Sequence, residues 1–259
     1  MDQMQHNLNL KCIGTQVYRY DSVTSTNDVL LKLIQESPKD IFEGAVVLAE
    51  EQTAGRGRLN KPLKSPKNMG VWMSIYLEPG FLELSKAFLI TFGAAAAVAQ
   101  VVHNVFRLHP HIKWPNDVLL NGKKFCGILT ETKSENNFLV HAVLGIGINV
   151  NQQQKDFNGD ESINATSLRM EFGQKIDKMK LFKKLIEGLD TNYSLLKSKK
   201  FSSILMSWKK YATFLGQQVT VVNGKNSKVG IAKGIDENGG IVLECNGNAQ
   251  VFYNGSLVL

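Results

Sequence analysis

Between Glu50 and Leu63 the chain reads EEQTAGRGRLNKPL, with Arg56 and Arg58 alternating with Gly55 and Gly57 straight after an apolar run. Glycine in such a place lets backbone N–H groups come close to anionic oxygens. The arginine fork holds a carboxylate or a phosphate at two points at once. Neither a Walker loop nor a dinucleotide fingerprint is present, because no G-K-[ST] follows and no helix opens at once. Taken alone, the segment is either an anion loop or a tight turn with solvated arginines. A second cluster, KWPND at Lys113 to Asp117, combines a cation, a ring, a rigid turn and a carboxylate. Trp114 reads either as a core residue or as a stacking platform, and Asp117 either as a turn cap or as a working carboxylate. Seven residues later comes Lys124. An Asn121-Gly122 hairpin folds it back beside the strand carrying Lys113 and Asp117, so two lysines and one carboxylate share a neighbourhood.

These residues need elements to hold them. Apolar positions Val29, Leu30, Leu33 and Ile34 predict a helix over Ser25 to Gln35, capped by the preceding Ser/Thr/Asn/Asp residues. Runs Gly44 to Gln52 and Gly70 to Pro79 predict strands, which makes the glycine-arginine segment a loop between them. A long helix from Ser85 to Phe106 follows, with Ala94 to Ala97 small enough for close packing. His111 to Lys133 reads as strand, turn and strand, and residues 137–151 as a strand pair or one long bent strand. The polar, aperiodic stretch 151–164 reads as a mobile loop. Leu181, Leu185, Leu189, Tyr193 and Leu196 form one helical stripe, and a further helical piece covers Ile204 to Tyr211. After Leu215-Gly216 the chain turns to short strands separated by Asn/Gly turns, the pattern of a small five-stranded barrel. The boundary falls near Phe214, which gives a domain of residues 1–213 and another of residues 214–259.

The 259 residues can bury a substantial core, and the 43% apolar and 8% aromatic fractions exclude wholesale disorder. The opening residues lack a basic start followed by an apolar stretch, so no secretory signal is read and a cytoplasmic location is expected. The apolar run Ala87 to Val102 is broken by Thr91 and Gln100 and is shorter than the roughly 20 residues of a membrane crossing; a buried helix is expected, with no membrane partner. Cys12, Cys126 and Cys245 are odd in number and in no C-x-x-C pair, so they read as core thiols. A net charge of +7 suits nucleic acid, acidic lipid, an anionic small molecule or an acidic protein.

The set of motifs, in order, is more specific than any one of them. STND at Ser25 to Asp28, EEQTAGRGR, KWPNDVLLNGKKFCGIL, GIGINVN and ATSL together resemble the biotin protein ligases, from about residue 15 to the C-terminus. The resemblance implies an α/β (α+β) fold: a central mixed β-sheet with flanking helices, of the class II synthetase-like kind, plus a C-terminal SH3-like β-barrel. It implies a reaction in which biotin and Mg-ATP (ATP with Mg2+) give biotinyl-5′-AMP, and a lysine of a biotin carboxyl carrier protein then takes the biotinyl group. By the same match Ser25, Thr26, Asn27 and Gln52, with backbone from Gly55 and Gly127, face biotin. Arg56, Arg58 and Lys124 are the cations between its carboxyl and the nucleotide. Lys61, Lys113, Asn116 and Asn149 belong to the nucleotide side, and Asp117 positions or deprotonates the incoming amine. Magnesium arrives on the ATP phosphates, with no protein ligands assigned.

Two departures stand out. Family members often continue the arginine loop with another glycine and arginine and then a tryptophan; here Leu59, Asn60, Lys61, Pro62 and Leu63 stand instead. Only 24 residues precede Ser25, so the expectation is a ligase without a DNA-binding domain, with DNA no partner; monomer and homodimer stay open. A lipoate or octanoyl ligase shares the fold and the adenylate chemistry but not KWPND, and a nucleic-acid-binding barrel would need an aromatic face that residues 218–240 lack.

Overall fold

The computed structural model describes residues 2–4, 10–36, 38–157 and 164–259. Its centre is an eight-stranded sheet. In chain order the strands are β1 (Asp2–Met4), β2 (Val17–Tyr20), β3 (Val46–Ala49), β4 (Gly70–Leu77), β5 (His111–Lys113), β6 (Asp117–Leu120), β7 (Lys123–Glu135) and β8 (Phe138–Asn149). In space they run β1-β2-β3-β4-β8-β7-β6-β5. Among the described strands β2 and β3 pair in parallel and the rest antiparallel, so the sheet is mixed.

Alternation along the strands sends side chains to two separate cores. Val46 and Leu48 of β3 join the larger core, whereas Val47 between them joins Tyr18, Leu30, Tyr76 and Val143 in the smaller one. Helix α1 (Thr26–Glu36) covers the smaller core through Leu30. Helices α2 (Phe88–Phe106), α4 (Lys178–Lys197) and α5 (Phe201–Tyr211) cover the larger one; between them in sequence lies the one-turn α3 (Leu168–Phe172). Ala94 to Ala97 are all buried, as expected. A Cβ on Gly188 of α4 would stand 3.0 Å from Val101 of α2, so small residues set how closely these two helices approach. With its 3-10 lead-in from Leu84, this helix is longer than the run read from the sequence and by length and composition could span a membrane. It is packed between the sheet and two helices, as a helix apolar all round must be in a folded core.

The strand read across His111 to Asp117 is in fact two. A cis Trp114-Pro115 peptide sits in the turn between β5 and β6, so Lys113 and Asp117 face each other across a tight reversal instead of following one another along a strand. The Asn121-Gly122 turn has the expected left-handed backbone, φ 48° and 76°. Residues 138–149 are one long strand. The polar stretch begins with a 3-10 turn at Gln154–Asp156; residues 158–163 of the expected mobile loop lie outside the described residues.

Beyond Phe214 come β9 (Gln218–Asn223), β10 (Asn226–Ile235), β11 (Ile241–Cys245), β12 (Asn248–Phe252) and β13 (Ser256–Val258), an antiparallel sheet ordered β12-β11-β10-β9-β13. Its inner residues, Val219, Val221, Leu243 and Leu257 among them, belong to the same continuous core as the large sheet. Trp208 bridges the two, stacked on Phe92 at 4.3 Å and edge-on to Phe214 at 6.0 Å. Trp114 is a core residue, and its Nε1 donates to Gly239 O at 3.1 Å. All three cysteines are free thiols; Cys126 and Cys245 are buried.

Candidate functional site

A cavity of about 410 Å³ opens on the α1 side of the sheet. Its floor exists because three residues that share that face lack side chains: Gly127 on β7, and Gly145 and Gly147 on β8. A Cβ on Gly145 would lie 2.3 Å from Asn27 Oδ1, and one on Gly147 would lie 2.9 Å from Leu63 Cδ2. The alternating glycines of GIGIN therefore make the hollow in which the N-terminus of α1 and the arginine loop sit.

At the α1 end the wall is a chain of paired polar groups. Gln52 Oε1 accepts from Thr26 N at 2.9 Å and from Thr26 Oγ1 at 3.1 Å, while its Nε2 donates to Ser65 Oγ at 2.8 Å. Ser74 Oγ lies 2.7 Å from Thr26 Oγ1 and 2.5 Å from Asn27 Oδ1. Asn27 Nδ2 donates to Glu131 Oε2 at 2.5 Å. Ser25, Thr26, Asn27, Ser65 and Ser74 are all buried. Buried polar groups paired in this way keep one orientation, because each broken link strands a donor or acceptor.

The arginine loop is itself a hairpin: Leu63 N donates to Gly55 O and Gly57 N to Lys61 O, both at 2.8 Å. Leu59 and Asn60 take left-handed backbone, and Leu59 is 85% exposed. Gly55 is buried beneath the loop, where a Cβ would meet Leu63 O at 2.6 Å; it folds the loop and does not line the cavity. Arg56 is held by two carboxylates, Asp28 Oδ1 at 2.5 Å and Glu131 Oε1 at 3.1 Å. Burial would pull its pKa down, but the hydrogen bonds to Asp28 and Glu131 outweigh that and the net shift is upward. Arg58 is different. Its Nη1 reaches only neutral acceptors, Asn116 Oδ1 at 3.4 Å and Gly255 O at 3.2 Å. Burial lowers its pKa against the opposing pull of Asp117. A half-buried guanidinium with no carboxylate partner among the described residues is a place where an anionic ligand restores the balance.

Lys124 reaches the cavity because of a β-bulge. Asp117 pairs with Gly127 and Val118 with Cys126, but Leu119 then pairs with Lys124, skipping Phe125. Without that extra residue Lys124 would oppose Leu120 and point to the far face. With it, Lys124 shares the face of Leu119 and Asp117, and its Nζ lies 2.7 Å from Asp117 Oδ1. The contact is a close ion pair without aligned hydrogen-bond geometry, and Asp117 Oδ1 is buried with no hydrogen-bond partner. Gly127 leaves room for the ammonium, since a Cβ there would stand 3.0 Å from Nζ.

Of the residues singled out from the sequence, Ser25, Thr26, Asn27, Gln52, Arg56, Arg58, Lys61, Asn116, Asp117, Lys124 and Gly127 line this cavity; Gly55, Lys113 and Asn149 do not. Lys113 pairs in register with Asp117 on the sheet edge. Asn149 Nδ2 donates to Thr166 O at 3.1 Å, and Thr166 N donates to Lys124 O at 2.9 Å, so Asn149 and the ATSL segment support the Lys124 strand from beside it. Asp28, Ser65, Ser74 and Glu131 were not anticipated. Glu131 stands four residues beyond Gly127 on the same strand face, and that parity was the available signal. Nor was the roof: Asn223-Gly224 and Gly255-Ser256 of the C-terminal sheet close the cavity from above.

A mixed sheet with a glycine-floored polar cavity, a cationic rim and a small β-sheet as roof is the architecture of a ligase that joins a small acid to a protein. The model of the biotin/lipoate A/B protein ligase family matches residues 20–149, and that of the biotin protein ligase C terminal domain matches residues 214–258. The chain belongs to that family and carries the C-terminal domain of the biotin protein ligases within it. It is 34% identical over 257 residues to the bifunctional ligase/repressor BirA of Bacillus subtilis, covering 99% of this chain and 78% of that protein. It is 30% identical over 241 residues to a biotin–acetyl-CoA-carboxylase ligase of Paracoccus denitrificans, covering 89% and 98%. Among solved structures, biotin protein ligase from Aquifex aeolicus in complex with biotin and ATP superposes with a TM-score of 0.78 at 25% identity, covering 93% and 97% of the two chains.

Proposed function

We propose that this protein activates biotin with ATP and transfers it to a lysine of the biotin carboxyl carrier domain of a carboxylase. The observation that carries the reading is the polarity of the cavity: donors and acceptors already matched at one end, where Arg56 is closed by Asp28 and Glu131, and at the other Arg58 and Lys124 beside Asp117. A ureido ring suits the first end, since Thr26, Asn27 and Gln52, beside the buried Ser25, are already oriented by their own hydrogen bonds. An unmatched donor or acceptor there costs about 1–3 kcal/mol, which makes the end selective.

In the first half-reaction a biotin carboxylate oxygen attacks the α-phosphorus of ATP, a P–O bond forms, and the bond to pyrophosphate breaks. Both reactants are negative, so fixed cations are what lower the barrier. Arg58 and Lys124 fill that role, with Lys61, Lys113 and Asn116 on the nucleotide side. Arg56, already paired with two carboxylates, holds the loop against α1 and Glu131 and offers its remaining N–H to the ligand. Asn149 acts through the ATSL segment. Magnesium enters as part of the substrate Mg-ATP, held by the phosphate oxygens. In the second half-reaction the lysine amine attacks the biotinyl carbonyl carbon, the C–N bond forms and the C–O bond to AMP breaks. The amine proton goes to Asp117, which lines the cavity with its Oδ1 2.7 Å from the Lys124 ammonium.

Residues 1–213 serve as the catalytic domain and residues 214–259 as its roof. Three free thiols support a reducing, cytoplasmic setting. Incubation with ATP, labelled biotin and a carrier domain labels the carrier; labelling with lipoate in place of biotin would overturn the assignment.

A further inference from the structure

On the α2 side of the sheet lies a second cleft of about 260 Å³. Its open walls include the rings of Phe88 of α2 and Tyr253, backed by the buried Phe92 and Trp114, with the hydroxyls of Thr91 and Thr130 between them, 2.8 Å apart. It shares Arg58, Asn116, Ile128 and Leu129 with the main cavity. That common wall is where β6 ends. Asn116 O accepts from Ile128 N at 3.0 Å and Asn116 Nδ2 donates to Ile128 O at 2.7 Å; past this point β7 has no strand partner on that side among the described residues. The two hollows meet around the free strand edge, next to Asp117.

The proposed reaction brings three reactants together, and two of them do not suit this cleft. A polyphosphate tail needs several fixed cations, whereas the only basic residue here is Arg58, on the shared wall. The ureido ring of biotin needs a set of matched donors and acceptors, and these are assembled in the other cavity. What the second cleft offers is a slot of aromatic rings lined with hydroxyl oxygens. Methylenes pack against such walls, and an ammonium group is attracted to ring faces and accepted by hydroxyls. At the mouth Tyr253 is 53% exposed, and its hydroxyl is bonded to Asp236, which places a carboxylate at the entrance.

We propose that this cleft receives the side chain of the acceptor lysine and leads its amine around the β7 edge to Asp117. The assignment rests on the ligase reading and adds to it a separate binding subsite for the protein substrate.

The test separates the half-reactions. In Tyr253→Ala, biotin-dependent ATP–pyrophosphate exchange stays at the level of the unaltered protein, while KM for the carrier domain rises roughly fivefold, the loss of one exposed ring–ammonium contact. Transfer from the adenylate to hydroxylamine, which is too small to need the cleft, does not change. Tyr253→Phe keeps the ring and restores the carrier KM, an outcome that a structural role of the hydroxyl on Asp236 would not give. Thr130→Met, which fills the cleft from β7, raises carrier KM without altering exchange. An equal change in exchange and transfer would assign the cleft to the nucleotide and overturn the proposal, as would unchanged carrier transfer in both Tyr253→Ala and Thr130→Met. If the unaltered protein formed no adenylate from biotin, the ligase reading would fail and this assignment with it.

Discussion

Arg56 and Glu131, 75 positions apart in the chain, meet at 3.1 Å, and the same carboxylate accepts the buried amide of Asn27 at 2.5 Å. One acid thus ties the arginine loop and the first turn of α1 to the middle of β7. Replacing Glu131 with Ala strands Asn27 Nδ2 and removes one of the two partners of Arg56. The expected cost is about 1–3 kcal/mol in chemical denaturation, with Glu131→Gln, which still accepts from Asn27, losing distinctly less. Equal stability of the two variants would show that the link to Asn27 contributes nothing.

Gly145 is a packing requirement of the same network. A Cβ 2.3 Å from Asn27 Oδ1 must push that side chain away from Ser74. Gly145→Ala should destabilise by about 1–3 kcal/mol, the usual cost of overpacking, and weaken biotin binding about tenfold or more in calorimetry. Gly80→Ala is the control: its nearest contact would be 3.9 Å away, and neither stability nor binding should move.

The ion pair of Lys124 and Asp117 predicts a division of labour. Lys124→Ala should lower the rate of adenylate formation by about 10²–10³, the loss of one preorganised charge at the reacting centre. Asp117→Asn keeps a similar shape and should leave adenylate formation largely intact while slowing transfer to the carrier by about 10²-fold or more. Single-turnover assays of each half-reaction distinguish the two; parallel losses in both would refute the division.

Stability should also fall in acid for a reason outside the cavity. Burial alone would raise the Glu50 carboxyl, but its hydrogen bonds to Lys178 and Arg19, at 2.5 and 2.6 Å, outweigh that and hold it below the usual value near 4.5. A carboxyl lowered in the folded state contributes stability that is complete above its unfolded value and is lost as pH falls through its folded one. Glu50→Gln should therefore be less stable than the unaltered protein at neutral pH. The gap should narrow below pH 4.5 in denaturation curves recorded along a pH series.

Local signals decided the elements. Asn121-Gly122 could be read as a tight hairpin because few other pairs adopt that backbone cheaply. The loop at Arg56 and Arg58 was legible because a β-type run precedes it and another follows. Ala94 to Ala97 announced a buried helix by their size alone. Chemical type picked out Arg56, Arg58, Asp117 and Lys124, while Ser25, Thr26, Asn27, Gln52, Asn116 and Gly127 were reached only through the resemblance of the motifs.

What the tertiary structure alone decided is which of those groups face one another. Side-chain direction along a strand has period two, so the single bulged residue at Phe125 determines whether Lys124 meets Asp117 or the opposite core, and no pattern in GKKFCGIL announces it. Lys113 pairs with Asp117 across the turn at Trp114-Pro115 and so shares its face, but it stands on the edge strand β5, outside the cavity lining. Glu131 and the C-terminal roof are further examples, being close only through sheet pairing and domain packing across long stretches of chain. Composition and local spacing determined the elements and named the reactive groups of this protein. Register and packing, which depend on many distant residues at once, decided that Arg56 is neutralised by two acids while Arg58 stands ready for an anion.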